Sequence, residues 1–400
     1  MLERTVSTLN LGSFEISETR GFLPAEDPQY TFGNDAHPHL KYLEQLGAQI
    51  PELLEAHKLR RAVDSLKPIE TAVFDTLDRR GIVMAARIYA FLASGYVHQI
   101  GEPKVRQIPR GVALPLFELS RRLGRKFPIL SYDLYALNNW RRLDKSRGID
   151  LENMNTIQNF VRLRDEPWFI LVHVEIEAEA GPAVGAIGRL QQAVLTKDVN
   201  SLEHALDTIA ESLDTAIHTL SRMPEGNSPD LYAFTFRPYI QMFKEITYEG
   251  VGDYGPAPTF RGETGAQSSV IPSLDVALGI RHARTDLTDY VADMRNYMPA
   301  AHRAFIEEVE KNESERPVRD FISAFGKRRT VELYNRCLDK IIEFRQKHLE
   351  FAISYIFTKV EDQSVSYREI ISQDSQGIWT GRVLEERNQA LWEGCGAEAR

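Results

Sequence analysis

Apolar positions along this chain recur mostly at spacings of three and four, the mark of helices that each bury one stripe. Between Pro51 and Leu66 the face runs through Leu53, Leu54, His57 and Leu59; between Ile69 and Ile100 it runs through Val73, Leu77, Ile88, Phe91 and Leu92. The most apolar stretch, Ile82 to Val97, is interrupted by Arg87 and falls short of the roughly 20 residues that span a bilayer, so it predicts a buried helix. A short helix is expected around Leu116–Leu123. The segment Phe127–Trp140 (FPILSYDLYALNNW) mixes both periods and is read as helix.

Farther on, WFILVHVEIEAEAGPAVGAI (Trp168–Ile187) has strand-like β-branched residues, but its length and its Ala and Glu content favour a buried helix interrupted near Gly181-Pro182. Leu202, Leu206, Ile209, Leu213, Ile217 and Leu220 then form one stripe, and the pattern predicts a capping box of Asn200 and Glu203 at its start. Helical patterns follow at Ser268–Arg284, Leu287–Tyr297, Ala300–Lys311 and Thr330–Val360. No period of 20 to 50 residues repeats, which excludes a solenoid. The prediction is an all-α protein with a smaller, mostly helical N-terminal domain (residues 1–125) and a large helical bundle (residues 126–400).

Composition narrows the function classes. The 400 residues carry 48 Lys and Arg against 57 Asp and Glu, a net charge of −9, with no basic run that would track a phosphate backbone, so no nucleic-acid partner is expected. The N-terminal MLERTVSTLNLG has neither the basic segment nor the apolar core of an export signal, and a cytoplasmic location away from membranes is expected. With two cysteines, Cys337 and Cys395, and no CxxC, a disulfide scaffold or thiolate metal site is not expected. No exposed apolar seam argues against a monomer.

Two regions could carry chemistry. Tyr248–Gly265 (YEGVGDYGPAPTFRGETG) holds five glycines and two prolines, and a long irregular stretch inside a compact domain commonly serves a site. The other is the helix TVELYNRCLDKIIEFRQKHLEFAISYIFTK, whose apolar face passes through Leu333, Cys337, Ile341, Phe344, Ala352 and Tyr355. His348 falls on that face. An imidazole there is often a satisfied core group, but Arg345 one turn earlier is a guanidinium on the same face and demands a carboxylate. Neutral imidazole is also the common protein ligand of haem iron. The other nine histidines form no zinc spacing, and there is no GxSxG, Walker loop or GxGxxG after a strand.

Three ordered stretches resemble the indoleamine 2,3-dioxygenase family: ETGAQSSVIPSLDVALGI (Glu263–Ile280), DMRNYMPAAHRAF (Asp293–Phe305) and EFRQKHLEF (Glu343–Phe351). Weaker similarity reaches back through PILSYDLYALNNW, VEIEA and FRPYI. The resemblance implies haem b with His348 as proximal iron ligand, Arg345 paired with Asp275 behind it, and O2 as co-substrate. It implies that Arg237 grips the carboxylate of a small amino-acid substrate, that Tyr132, Tyr135 and Ala136 line an indole pocket, and that Thr264 and Gly265 lie over substrate and a haem propionate. The first domain would cap that pocket. MRNYMPAAHR is given a packing role, with Pro299 opening a helix and His302 hydrogen-bonding locally.

The chain departs from the family pattern in three places. Leu171 aligns with a small hydroxyl residue facing the oxygen site, Glu263-Thr264-Gly265 replaces small-Ser-Ala, and EDQSVSYREIISQDSQG lacks a Gly/Thr-rich lid. No distal acid or base is recognised. The implied reaction is cleavage of the indole C2–C3 bond of L-tryptophan by O2 to N-formylkynurenine. Alternatives are a haem enzyme of the same fold acting differently on a tryptophan derivative, as in pyrrolnitrin biosynthesis, and a non-catalytic haem or tryptophan sensor. An unrelated helical interaction protein would bind no haem.

Overall fold

The computed structural model describes residues 9–256 and 258–357. Its first half holds α1 (Pro38–Ala48), α2 (Ile50–Glu55), α3 (Leu59–Asp64), α4 (Arg79–Val97) and α5 (Arg110–Arg122). The single face expected over Pro51–Leu66 is divided between α2 and α3, because His57 adopts a left-handed φ of 53° and turns outward. Asp78 starts α4, its carboxylate accepting the Gly81 N–H at 2.8 Å. From Met84 to Val97 that helix is buried on every side, as the apolar run predicts. Arg87 is 1% exposed there and donates to the carbonyls of Asn138 and, at 3.0 Å, Gln29. Those bonds offset its desolvation.

The second half holds α6 (Asp165–Glu179), α7 (Gly181–Thr196), α8 (Val199–Ser221), the single-turn α9 (Pro229–Leu231), α10 (Val270–Ala277), α11 (Asp286–Met294), α12 (Ala300–Glu315), α13 (Val318–Phe325) and α14 (Arg328–Ala352). The interruption at Gly181-Pro182 separates α6 from α7 where expected. Helix α8 packs against α6, α7 and α14. The strands are minimal: β1 (Gln107–Ile108) pairs in parallel with β4 (Thr247–Tyr248), and β2 (Trp140–Arg142) antiparallel with β3 (Met154–Thr156). The fold is all-α, as predicted.

Several sequence expectations are corrected. Phe127–Trp140 is not a helix: Asp133–Leu137 form one wide π-helical turn, and the chain then extends into β2. The backbone N–H of Tyr132 is taken by the Gln267 side chain at 2.9 Å, and both the backbone and the side-chain nitrogen of Asn138 close on the Asp133 carbonyl at 2.9 Å. Asn200 and Glu203 do not cap α8. Asp198 does, its carboxylate accepting the N–H groups of Asn200 and Ser201 at 3.0 and 3.1 Å. Glu203 instead accepts the Thr330 hydroxyl at 2.6 Å and ties α8 to the start of α14. The patterns missed α13, which is only two turns long. Helix α14 ends at Ala352 in a π-helical turn over Ile353–Phe357; the expected continuation to Val360 and the EDQSVSYREIISQDSQG segment lie outside the described residues.

Two apolar clusters form the interior. One joins α1–α5 to α6, the end of α8 and parts of residues 223–260; the other packs α7, α8, α10, α12, α13 and α14. His302 on α12 docks the N-terminal chain, its ring 4.8 Å from that of Phe22. Its Nδ1 is buried without a hydrogen-bond partner, so the local bond expected from sequence is not formed.

Burial pushes His302 down to about 3 and, despite the Gln241 carbonyl beside it, His98 down to about 4. An unfolded histidine takes its proton near about 6.5, so both rings contribute stability that is complete above that pH and lost as pH falls toward their folded values. The urea midpoint is expected to fall more between about pH 7 and about pH 5 for the parent than for His302→Phe. Parallel declines would remove His302 from this account.

Candidate active site

Against the first apolar cluster, α6, α14, the turns over Tyr232–Ile240 and the chain from Arg261 to Gly265 surround an open cavity. Phe169 and His173 face it from α6, one turn apart and therefore on one side of that helix. His348, Phe351 and Ala352 face it from α14, and Tyr232 and Tyr355 come from the π-helical turns. Such turns often accompany functional sites, because the extra residue re-aims neighbouring side chains.

The loop that forms the rim is fixed by backbone contacts. A Cβ on Gly262 would lie 2.3 Å from the Ile240 carbonyl oxygen, so only glycine lets these segments approach. Glu263 donates its N–H to that same carbonyl at 2.9 Å, and Gln267 donates its side-chain amide to the Gly262 carbonyl at 2.8 Å. Only the end of the expected Tyr248–Gly265 loop borders the cavity. Its earlier part packs on aromatic rings, with Tyr248 donating to the Pro128 carbonyl at 2.8 Å.

Two imidazoles converge beside this rim. A Cβ built on Gly265 would lie 3.7 Å from His173 Nε2 and 4.0 Å from His348 Nε2. Nδ1 of His173 lies 2.7 Å from the Phe169 carbonyl oxygen. A carbonyl only accepts, so Nδ1 carries the proton and Nε2 keeps a lone pair. Burial lowers the pKa of His173, the Phe169 carbonyl acting in the opposite direction. Behind His348, the Arg345 guanidinium meets Asp275 of α10, and His282 Nε2 lies 3.3 Å from the same carboxylate. Burial alone would raise the Asp275 pKa; Arg345 and His282 outweigh it and hold the group ionised.

The family model for Indoleamine 2,3-dioxygenase matches residues 10–397. The chain belongs to the indoleamine 2,3-dioxygenase family. Human indoleamine 2,3-dioxygenase 2 is 31% identical over 363 residues, covering 89% of this chain and 86% of the relative. Rat indoleamine 2,3-dioxygenase 1 is 34% identical over 317 residues, covering 77% and 76%. The Saccharomyces cerevisiae indoleamine 2,3-dioxygenase is 27% identical over 369 residues, covering 86% and 80%.

Of the residues that the indoleamine 2,3-dioxygenase resemblance singled out, His348, Arg237, Thr264 and Gly265 border the cavity together, with Arg345 and Asp275 behind His348. Tyr132, Tyr135, Ala136 and Leu171 are buried and do not border it. The Tyr132 hydroxyl donates to Glu177 at 3.0 Å and the Tyr135 hydroxyl to Glu166 at 3.2 Å, so both phenols are turned into the interior. Their rings stand behind the lining residues, Tyr132 edge-on to His173 at 5.9 Å and Tyr135 6.4 Å from Phe169. Leu171, two positions beyond Phe169, points to the other side of α6.

Sequence reasoning did not single out Phe169, His173, Tyr232 or Arg261, and it marked Glu263 only as a departure from the family loop. Phe169 and His173 stand four apart, a spacing that could have revealed them once α6 was known to be helical. Arg261 sits over the Tyr290 ring at 5.2 Å, with Asp293 3.5 Å from its Nε. Glu263 has its carboxyl pushed up to about 8 by burial.

Removing one partner of a buried ion pair strands the other charge. Asp275→Ala is expected to lower unfolding stability by about 3 kcal/mol, while the double variant Asp275→Leu/Arg345→Met recovers part of that loss, as read from urea denaturation. A double variant less stable than Asp275→Ala would contradict this.

Proposed function

We propose that this chain binds haem b with His348 as proximal ligand and uses O2 to cleave the indole C2–C3 bond of L-tryptophan, giving N-formylkynurenine. The observation that carries the reading is that His348 directs Nε2 to the cavity that Arg237 also borders, inside a chain of the indoleamine 2,3-dioxygenase family. The donor set on the cavity wall suits haem iron, an imidazole with a buried ion pair behind it and apolar rings beside it. When bound, the haem supplies the dioxygen chemistry.

The rest falls to the protein. Arg237 offers a planar fork that grips a carboxylate in two parallel hydrogen bonds and sets the direction in which the amino acid lies. Phe169, Phe351, Tyr232 and Tyr355 supply apolar ring surface for the indole and keep water from it. Asp275 and His282 hold Arg345, and so hold the α14 turn that carries His348. Positioning of the indole against the cofactor, rather than proton transfer from a side chain, is the protein's main contribution.

The test is haem reconstitution, reduction, and addition of L-tryptophan and air, with product read by absorbance. The parent is expected to form N-formylkynurenine, and His348→Ala neither to retain haem nor to form product. Arg237→Ala should raise KM for L-tryptophan by ~10- to 100-fold, the worth of hydrogen bonds to a charged group, with little effect on an indole that lacks a carboxylate. Haem uptake without product would favour the sensor or altered-substrate reading. No uptake would overturn the proposal.

A further inference from the structure

We propose that His173 is a second axial ligand of the iron, occupying the face opposite His348 while no substrate is bound; this rests on the haem reading above. The rings come from different walls, His173 from α6 and His348 from α14, and each presents Nε2 as its atom nearest to one point beside Gly265. The two nitrogens can be no farther apart than the sum of their distances to that point, 3.7 and 4.0 Å. Imidazole–metal bonds of about 2 Å place the metal midway between two such nitrogens after a modest side-chain adjustment.

The protonation pattern of His173 fits a ligand. Its Nδ1–H is committed to the Phe169 carbonyl, which fixes the tautomer with a free lone pair on Nε2 and holds the ring's orientation. The Phe169 ring, 4.5 Å from the imidazole, and the Tyr132 ring, 5.9 Å away, confine it further. Gly265 itself puts no side chain beside the two nitrogens. A six-coordinate resting iron has no open position, so an indole entering the cavity must displace the His173 imidazole before dioxygen can bind. His173 then acts as a gate that couples substrate arrival to the opening of the iron.

The experiment uses the full-length, haem-reconstituted protein and reads absorption and electron paramagnetic resonance rather than turnover. The parent is expected to be low-spin with bis-imidazole bands, His173→Ala to become high-spin, and added imidazole to restore the low-spin spectrum of that variant. L-tryptophan should move the parent toward high spin. Gly265→Val, whose branches would reach past the Cβ position into the space between both nitrogens, should lose part of the low-spin signal while retaining haem, and carries the test if His173→Ala fails to take haem up. A high-spin parent, or a low-spin spectrum unchanged by His173→Ala, overturns the gate but leaves the haem reading standing. Absence of haem in the parent overturns both.

Discussion

Arg345 enters the contact between α10 and α14 as a guanidinium that water only partly reaches, and Asp275, 8% exposed on α10, neutralises it. The pairing does more than cancel a charge. Asp275 is the side chain by which the short α10 grips the long α14, and His282 closes on the same carboxylate from the chain that follows α10. Because Arg345 and His348 lie within one turn, whatever fixes the guanidinium also fixes the imidazole. The other end of α14 is held by different means: Thr330 to Glu203, Arg336 to Asp207 and Asp214, and Lys340 to Asp214, all on α8. A slide of α14 along α8 by one turn would break every one of these contacts together, so the height of His348 above the cavity floor is set with little freedom.

The opposite wall is held by carboxyl groups of a different character. Burial pushes Glu166 up to about 8 and Glu177 up to about 7, against the hydrogen bonds each receives. Glu166 accepts from the backbone of Phe160 and Val161 and from Tyr135; Glu177 accepts from Tyr132 and Ser268. Such groups tolerate the interior because several donors surround them, and they orient α6 against β3, the 133–137 turn and the loop below the rim. The phenols of Tyr132 and Tyr135 are consumed in that task. The rings that α6 presents to the cavity are therefore Phe169 and His173, which these groups stand behind.

Helix content and the identity of the long helices were legible because an apolar stripe at helical spacing has one economical explanation, as Leu202 to Leu220 on α8 illustrates. His348 and Arg345 were legible for a similar reason: a charge on an apolar face requires a partner, and α10 provides one. What escaped depended on contacts between distant residues. Glu203 looks like a cap until Thr330, far along the chain, takes its carboxylate. The 127–140 segment looks helical until Gln267 removes one N–H from the ladder. His173 escaped because α6 is apolar nearly all round, so periodicity could not say which face of it meets the cavity. Leu171, aligned with a residue facing the oxygen site, lies off the cavity on a helix that carries no polar stripe to mark its inner side.

Gly265 of the rim loop and His173 of α6 border one volume. The rim loop carries Gly265 where the pattern has a small side chain, and α6 carries the His173 imidazole. A methyl at 265 would meet His173 Nε2 at 3.7 Å, ordinary contact, whereas any branch beyond it would enter the space into which that nitrogen points. The loop cannot recoil to make room, because Gly262 is already pressed against the Ile240 carbonyl and Glu263 is bonded to it. The room beside the rim is thus shared between position 265 and the ring from the helix opposite, and a side chain larger than alanine at 265 would compete with His173 for it.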